Sequence, residues 1–223
     1  MPKPTVVFDL DGTLVDTAPD LIHACNHVLG EAGVGPVGET LLRPHISFGS
    51  RRMILVGLGH HGVTMPDQDV DRLWAKFLTY YSANIAVDSR PYPHVVDVLE
   101  RLALSGVRLA VCTNKVEALS RQVLEALDLA RYFGAVCGRD TFPVCKPDPR
   151  HLTGAIDAVG GSIHSAVMVG DSDTDVATAR AAGVPIIGLG FGYTDVPMRD
   201  LAPDALIDTY QAFDDALLRV MPH

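Results

Sequence analysis

The sequence predicts an α/β fold, a doubly wound (Rossmann-like) parallel sheet with an all-helical cap domain inserted after its first strand. Two observations support this prediction. Short apolar runs that end in polar residues alternate with segments of helical periodicity, which is the pattern of strands and crossover helices in a parallel sheet. A single long stretch, residues 16–88, interrupts this alternation and shows helical periodicity only.

Three apolar runs predict buried parallel strands. They cover residues 6–8, 109–112 and 167–170, and the residues that follow them are Asp9, Thr113 and Asp171. Ligands of such sheets bind outside the carboxyl ends of the strands. We therefore expect these three polar residues to converge on one crevice.

Apolar residues three and four apart predict amphipathic helices between the strands. One predicted helix has Val95, Val98, Leu99 and Leu102 on one face, and the next has Leu119, Val123, Leu124 and Leu127. Both are long enough to connect parallel strands. Residues 184–189 and 205–207 predict two more short strands, and residues 210–219 predict a terminal helix.

The inserted stretch, residues 16–88, predicts a separate helical domain, while residues 1–15 and 89–223 form the α/β core. Two helices of the insertion are predicted from apolar residues at helical spacing. Their apolar faces consist of Leu21, Ile22, Cys25, Val28 and Leu29 in the first helix, and of Val70, Leu73, Trp74, Phe77 and Tyr81 in the second. Because the insertion leaves the core directly after the first strand, we expect it to lie over the strand ends as a lid that selects the substrate.

Composition limits the classes of partner. The 223 residues are 48% hydrophobic, and Lys+Arg 18 against Asp+Glu 27 gives a net charge of −9, which disfavours nucleic acid. No apolar stretch approaches the ~20 residues that span a bilayer, and no signal-peptide pattern precedes Asp9, so neither a membrane nor export is expected. The four cysteines form no CxxC motif, which favours a reducing cytoplasm.

The most informative segment follows the first strand. Asp9 and Asp11 are two residues apart in an extended run, so their carboxylates point the same way, and Gly12 permits a sharp turn after them. Such a pair can bind a divalent cation and can divide the work of nucleophile and general acid/base.

Four motifs in sequence order resemble those of the haloacid dehalogenase superfamily. The first is the segment at residues 9–17, Asp-Leu-Asp-Gly-Thr-Leu-Val-Asp-Thr, and the second is Thr113-Asn114-Lys115. The third is Lys146-Pro147-Asp148, and the fourth begins at Gly170-Asp171. Their order and spacing match over nearly the whole chain, and the insertion lies where this superfamily carries its helical cap.

The resemblance implies an enzyme and assigns roles. Asp9 would be the nucleophile that forms an aspartyl-phosphate, and Asp11 would be the general acid and base. Thr113, Asn114 and Lys146 would hold the phosphoryl oxygens. Mg²⁺ would be bound by the side chains of Asp9 and Asp171 and the main-chain carbonyl of Asp11, with Asp175 in support. The presence of Asp11 favours phosphate esters over carbon–halogen bonds, since halide needs no proton when it leaves.

A small phosphorylated metabolite is the expected substrate. Residues 8–21 are similar to those of bacterial phosphoglycolate phosphatases, which implies a carboxylate beside the phosphate, as in 2-phosphoglycolate. The insertion offers Arg43, Arg51 and Arg52 to pair with that carboxylate. A pyrophosphatase, a sugar-phosphate phosphatase or a phosphomutase shares the same core residues, so these remain alternatives. The chain is expected to be a monomer or a homodimer.

Other patterns allow competing interpretations. A non-enzymatic phosphoryl-binding regulator would need neither the insertion nor more than ~120 residues. The Asp171-x-Asp173-x-Asp175 spacing copies a calcium loop but lacks its glycine and its last glutamate, and Asp173 or Thr174 is expected to cap the helix that follows. The Gly57–Gly62 GxGxxG lies outside any βαβ unit, so we expect a glycine-rich helix end. His23 and His27 share a helix face without further zinc ligands in view.

Overall fold

A computed structural model describes residues 3–221 of the chain. Its strands are β1 (Thr5–Phe8), β2 (Val15–Asp16), β3 (Arg90–Pro91), β4 (Arg108–Cys112), β5 (Ala135–Cys137), β6 (Ala166–Gly170), β7 (Ile186–Leu189) and β8 (Ala205–Ile207). Its α-helices are α1 (Ala18–Glu31), α2 (Glu39–Leu42), α3 (Ser50–His60), α4 (Asp67–Ala83), α5 (Val95–Leu104), α6 (Glu117–Ala126), α7 (Pro149–Ala158), α8 (Asp173–Ala182) and α9 (Phe213–Val220). A 3₁₀ segment, Arg43–Phe48, joins α2 to α3.

Six strands form one sheet in the order β5-β4-β1-β6-β7-β8. Every pairing between neighbours in that sheet is parallel. The chain therefore starts in the middle of the sheet, builds outward through β4 and β5, and then crosses over to β6 on the other side. The point where the direction reverses lies between β1 and β6, and this is where ligands of doubly wound sheets bind.

Helices cover both faces of the sheet, because successive side chains of a buried strand point to opposite sides. On one face, Val6 and Phe8 of β1 belong to an apolar cluster that includes residues of α5, α6 and α9. On the other face, Val7 belongs to a cluster with residues of α7 and α8. The predicted α/β class with a parallel sheet is confirmed.

The helices α1 to α4 share an apolar cluster of their own. Its large buried members include Tyr81, Phe77, Leu29 and Met53, and Tyr193 from the loop after β7 packs into it. A short antiparallel ribbon, β2 with β3, stands where the chain enters and leaves this helical part, with Asp16 opposite Arg90. The helical part is thus built on its own core and is joined to the sheet at this ribbon.

Several elements differ from the sequence predictions. Strand β7 begins at Ile186 rather than at residue 184, because Pro185 has no N–H to donate and contributes only its carbonyl, which accepts from Met168 N at 2.9 Å. The terminal helix starts as a 3₁₀ turn over Tyr210–Ala212 before α9. Strand β5, of three residues, and the β2–β3 ribbon, with two residues in each strand, were not predicted.

Within residues 3–221, none of the helices combines the length with the apolar character that crossing a bilayer would require.

Candidate active site

The reversal point of the sheet presents two aspartates from neighbouring strands. Asp9 follows β1 and Asp171 follows β6, and these two strands pair in parallel. Both side chains are buried. The turn after Asp9 is possible because Gly12 adopts φ +84°, a left-handed conformation that glycine adopts without a steric penalty. The parallel pairing thus brings two residues that are far apart in the chain to one edge of the sheet.

A third carboxylate completes a buried acidic cluster. Oxygens of Asp9, Asp171 and Asp175 lie within 4.8 Å of one another. Hard oxygen ligands of this kind suit Mg²⁺. The Asp11 side chain lies outside the cluster and bonds elsewhere, so any contribution from this residue would come from its main-chain carbonyl, as the resemblance implies.

Lys146 is the cation of this cluster. Its ammonium is 3.0 Å from Asp9 Oδ2 and 2.6 Å from Asp175 Oδ1, and the side chain is only 2% exposed. Burial lowers the pKa of this lysine, but the attraction of Asp175 and Asp9 outweighs burial and raises the pKa above its usual value. Lys146 therefore stays charged, and it supplies one positive charge to a cluster of three carboxyl groups, two of which it contacts.

Burial is the main cause of the raised pKa values of Asp9 and Asp171, and repulsion within the cluster adds to it. Burial raises the pKa of Asp9 to about 6, even though the Lys146 charge acts to lower it. Burial, followed by repulsion from Asp175 and Asp9, raises the pKa of Asp171 well above its usual value. A divalent cation would relieve both effects, so the charge and chemistry of these residues fit the metal that the resemblance implies.

Asp175 is held by the start of α8. Its Oδ2 accepts from the N–H and the hydroxyl of Ser172 at 3.1 and 2.7 Å, and from Asp171 N at 3.2 Å. Ser172 in turn accepts from Asp175 N, which makes a capping box. Ser172 thus caps the helix, and the expectation of Asp173 or Thr174 was wrong, because only Ser172 stands three residues before the Asp175 N–H.

Glycine makes room for the Asp171 side chain. A Cβ added at Gly12 would lie 2.4 Å from Asp171 Oδ2, and one added at Gly192 would lie 2.1 Å from Asp171 Cβ. The carboxylate is fixed from two sides, since Thr13 Oγ1 donates to Oδ1 at 2.6 Å and Tyr193 N donates to Oδ2 at 2.8 Å. Asp171 therefore has a single, well-defined orientation.

Asp11 points away from the acidic cluster toward a second lysine. Lys115 Nζ lies 3.1 and 3.2 Å from the two carboxylate oxygens of Asp11 and donates to the Tyr81 hydroxyl at 2.8 Å. Thr17 Oγ1 donates to the same carboxylate at 2.7 Å. Lys115 belongs to the sheet side and Tyr81 to α4, so this group of contacts joins the two parts of the molecule beside Asp11.

Thr113 and Asn114 lie where β4 ends. The Thr113 hydroxyl accepts from Lys115 N at 3.3 Å. The Asn114 side-chain amide donates to the Lys146 main-chain carbonyl at 3.0 Å, while its Oδ1 is buried without a partner among the described residues. In this structure Asn114 therefore contacts the segment that carries Lys146.

A cavity opens above these residues, between the sheet edge and the helical part. Its volume is about 50 Å³, several times the ~10–15 Å³ that a single water requires, so it suits a small ligand. Asp9, Asp11, Thr113, Asn114 and Lys146 are among the residues of its floor. The opposite wall includes the apolar side chains Leu21, Ile46, Met53, Trp74, Phe77 and Leu78.

The arginines expected from the insertion lie elsewhere. Arg43 pairs with Asp16 and Glu39 and stacks over the Tyr193 ring, 4.8 Å from its centroid, beside a different hollow. Arg52 is exposed, because its neighbours Met53 and Ile54 take the inward face of α3. Neither arginine lines the cavity, so the structure does not place them with the other predicted site residues.

Arg51 is also engaged elsewhere, since it pairs with Asp67 and Asp71 at 3.0 and 2.8 Å.

Two cavity residues had no role in the sequence prediction. Lys115 belongs to the second motif, so its position directly after Thr113 and Asn114 was the available signal. Arg139 lines the cavity from the loop after β5. No sequence signal marked Arg139, because β5 itself was not predicted.

The comparisons with known proteins agree on one family. Residues 6–189 match the model of the family described as haloacid dehalogenase-like hydrolase. The span includes all four motifs and the helices α1 to α4.

Several relatives carry the name phosphoglycolate phosphatase. A phosphoglycolate phosphatase of Agrobacterium fabrum is 46% identical, over 96% of this chain and 92% of the relative. One of Mesorhizobium japonicum is 44% identical over the full length of both chains. The crystal structure of a predicted phosphoglycolate phosphatase from Haemophilus somnus superimposes with a TM-score of 0.90 at 28% identity, covering 96% of this chain and 97% of that one.

Proposed function

Since the chain belongs to the haloacid dehalogenase-like hydrolase family and is a phosphatase, we propose that it hydrolyses 2-phosphoglycolate, a small phosphomonoester, through an aspartyl-phosphate on Asp9 with Mg²⁺ as cofactor. The observation that best supports the proposal is the buried group of Asp9, Asp171, Asp175 and Lys146 at the reversal point of the sheet. Asp9 and Lys146 supply a nucleophile and a fixed cation at the floor of one small cavity, and Asp171 and Asp175 add carboxylate oxygens within 4.8 Å of Asp9.

In the first step, an Asp9 carboxylate oxygen attacks phosphorus, and the bond from phosphorus to the substrate's ester oxygen breaks. Asp11 gives its proton to that leaving oxygen, which therefore departs as an alcohol. Lys146, Thr113 and the Asn114 amide hold phosphoryl oxygens that carry charge in the transition state.

In the second step, Asp11 acts as a base. It takes a proton from a water molecule whose oxygen attacks phosphorus, and the bond to Asp9 breaks. The contacts of Asp11 with Lys115 and Thr17 hold its carboxylate at the cavity floor for both steps. The products are inorganic phosphate, the alcohol and free Asp9.

When bound by the side chains of Asp9 and Asp171 and the main-chain carbonyl of Asp11, with Asp175 in support, Mg²⁺ would offset the repulsion between the phosphate dianion and the carboxylates. Lys146 alone leaves the cluster with an excess of carboxylates.

Residues 16–88 would form the cap that closes the cavity, and residues 1–15 and 89–223 the catalytic core. The cap's apolar wall and the limited volume support a substrate of few atoms. All four cysteines are unpaired thiols, which supports a reducing location such as the cytoplasm.

The test is a panel of phosphorylated metabolites that includes 2-phosphoglycolate, pyrophosphate and sugar phosphates, assayed with and without Mg²⁺. We expect phosphate release to be fastest from 2-phosphoglycolate, to need Mg²⁺, and to disappear in Asp9→Asn. Retained turnover in Asp9→Asn would remove the proposed nucleophile. Preferred release from pyrophosphate, or an isomerised sugar phosphate, would instead identify a pyrophosphatase or a phosphomutase.

A further inference from the structure

The basic residues that line the cavity differ in whether a carboxylate is already paired with them. Lys146 is paired with Asp9 and Asp175, and Lys115 is paired with Asp11. Arg139 is different. Its side chain lines the same cavity, and no carboxylate within residues 3–221 forms an ion pair with it. It is therefore the cavity's available positive charge among the residues that the structure describes.

The backbone of Arg139 is anchored to the catalytic floor. Its N–H donates to the Lys115 carbonyl at 3.0 Å, which ties the loop after β5 to the loop after β4. The side chain leaves this anchor and reaches the helical part, since a Cβ added at Gly49 would lie 3.7 Å from Arg139 Nη1. The guanidinium thus spans the gap between the floor of the cavity and the start of α3.

Ser50, which follows Gly49 and lines the same cavity, offers a hydrogen-bond donor on this side. The Ser50 hydroxyl accepts from Trp74 Nε1 at 3.1 Å, so its own proton is free to be donated. The first turn of α3 contains no acidic residue, and its N-cap, Gly49, provides no side-chain acceptor. A second anionic group on the substrate would match this end of the cavity, while the phosphoryl group lies at Asp9.

We propose that Arg139 determines substrate specificity by binding the carboxylate of a small phosphorylated carboxylic acid, with the Ser50 hydroxyl as a second donor. The inference rests on the proposed function and deepens it. A guanidinium fork can bind both oxygens of a carboxylate at once. The residue that binds the substrate carboxylate then belongs to the loop after β5, and it is not one of the arginines of the cap.

The test compares two substrates that differ only at the second group. Both 2-phosphoglycolate and ethyl phosphate are phosphomonoesters with a two-carbon chain, and only the first has a carboxylate. In Arg139→Gln we expect kcat/KM for 2-phosphoglycolate to fall about 10- to 100-fold, mainly through KM. The value for ethyl phosphate should change by less than about twofold, and Arg139→Lys should recover part of the loss.

Arg72→Gln, on an exposed position of α4, is the matched control and should behave as wild type on both substrates. Equal losses on the two substrates, no loss on either, or a selective loss in Arg52→Gln instead, would each overturn the role of Arg139. So would a wild-type enzyme that shows no preference for 2-phosphoglycolate, although its phosphatase activity would then stand. A wild type that hydrolyses neither substrate would overturn the proposed function itself, and this inference with it.

Discussion

At the scale of single residues, the acidic cluster makes metal binding depend on pH. Burial raises the pKa of Asp9 to about 6, and the pKa of Asp171 is raised as well. A protonated carboxylate does not bind a cation, so protons compete with Mg²⁺ as the pH falls through about 6. Above that value Asp9 is ionised, and a proton on this carboxylate no longer competes with the cation.

We therefore expect the affinity for Mg²⁺ to weaken about tenfold or more between pH 7 and pH 5. Titration calorimetry without substrate is the appropriate measurement, because the phosphate ester has an ionisation of its own near this pH. An unchanged dissociation constant between pH 7 and 5 would show that Asp9 is not a ligand or that its pKa is not raised.

The sequence indicated some site residues better than others, for a physical reason. Asp9, Thr113 and Asp171 each follow a continuous apolar run, and a parallel sheet collects such positions at one edge. Side chains that reach the cavity from loops and helices leave no such pattern. Tyr81 fits a helix face as an ordinary core residue, and only the fold shows that its hydroxyl meets Lys115.

At the scale of elements, the start of α8 links helix stability to the catalytic group. The Ser172 hydroxyl accepts from Asp175 N in the capping box and donates to Asp175 Oδ2 at 2.7 Å, and Asp175 in turn holds Lys146. We expect Ser172→Ala to lower the free energy of unfolding by about 1 kcal/mol, the usual effect of losing an N-cap. It should also lower kcat, because the Asp175 carboxylate loses one of the donors that orient it.

Ser162 provides the matched control, since its side chain caps the short 3₁₀ segment Ile163–Ser165 through His164 N. Ser162→Ala should cost a similar or smaller free energy in urea unfolding and leave kcat unchanged. If both variants kept full activity, Ser172 would be a helix cap only, without influence on Lys146.

Strands were predictable from the sequence where their apolar run is long enough to be recognised. The central strands β1, β4 and β6 are continuous apolar runs, because helices cover both of their faces. The strands β2 and β3 have two residues each, too few to show a period, and the three-residue edge strand β5 was not predicted either. These short elements nevertheless matter, because Arg139 follows β5, and the β2–β3 ribbon joins the two parts of the chain.

At the scale of the whole molecule, the cavity exists only because the helical part lies over the sheet edge. Few polar contacts cross this boundary close to the reacting groups. Lys115 and Tyr81 form one of them, at 2.8 Å, and the ammonium also lies 4.4 Å from the centre of the Tyr81 ring. Tyr193, from the loop after β7, forms another such contact. Its hydroxyl donates to Asp16 and accepts from Ala18 N at the start of α1.

Removing the Tyr81 hydroxyl tests whether this contact holds the closed arrangement. In Tyr81→Phe the ring keeps its stacking on Phe77, but Lys115 loses one acceptor while its pairing with Asp11 remains. A hydrogen bond of this kind contributes about 1 kcal/mol, so we expect KM to rise roughly fivefold with kcat nearly unchanged. Amide hydrogen exchange in α4 of the free enzyme should become faster, because the closed form is less populated.

The neighbouring residue supplies the control, since Tyr80 stacks on His27 at 3.9 Å and does not line the cavity. Tyr80→Phe should leave KM, kcat and exchange in α4 as they are in the wild type. A lower kcat with unchanged KM in Tyr81→Phe would instead mean that the hydroxyl acts on the chemical step through Lys115 and Asp11. Wild-type kinetics in that variant would show that the apolar wall of the cavity closes the cap without this hydrogen bond.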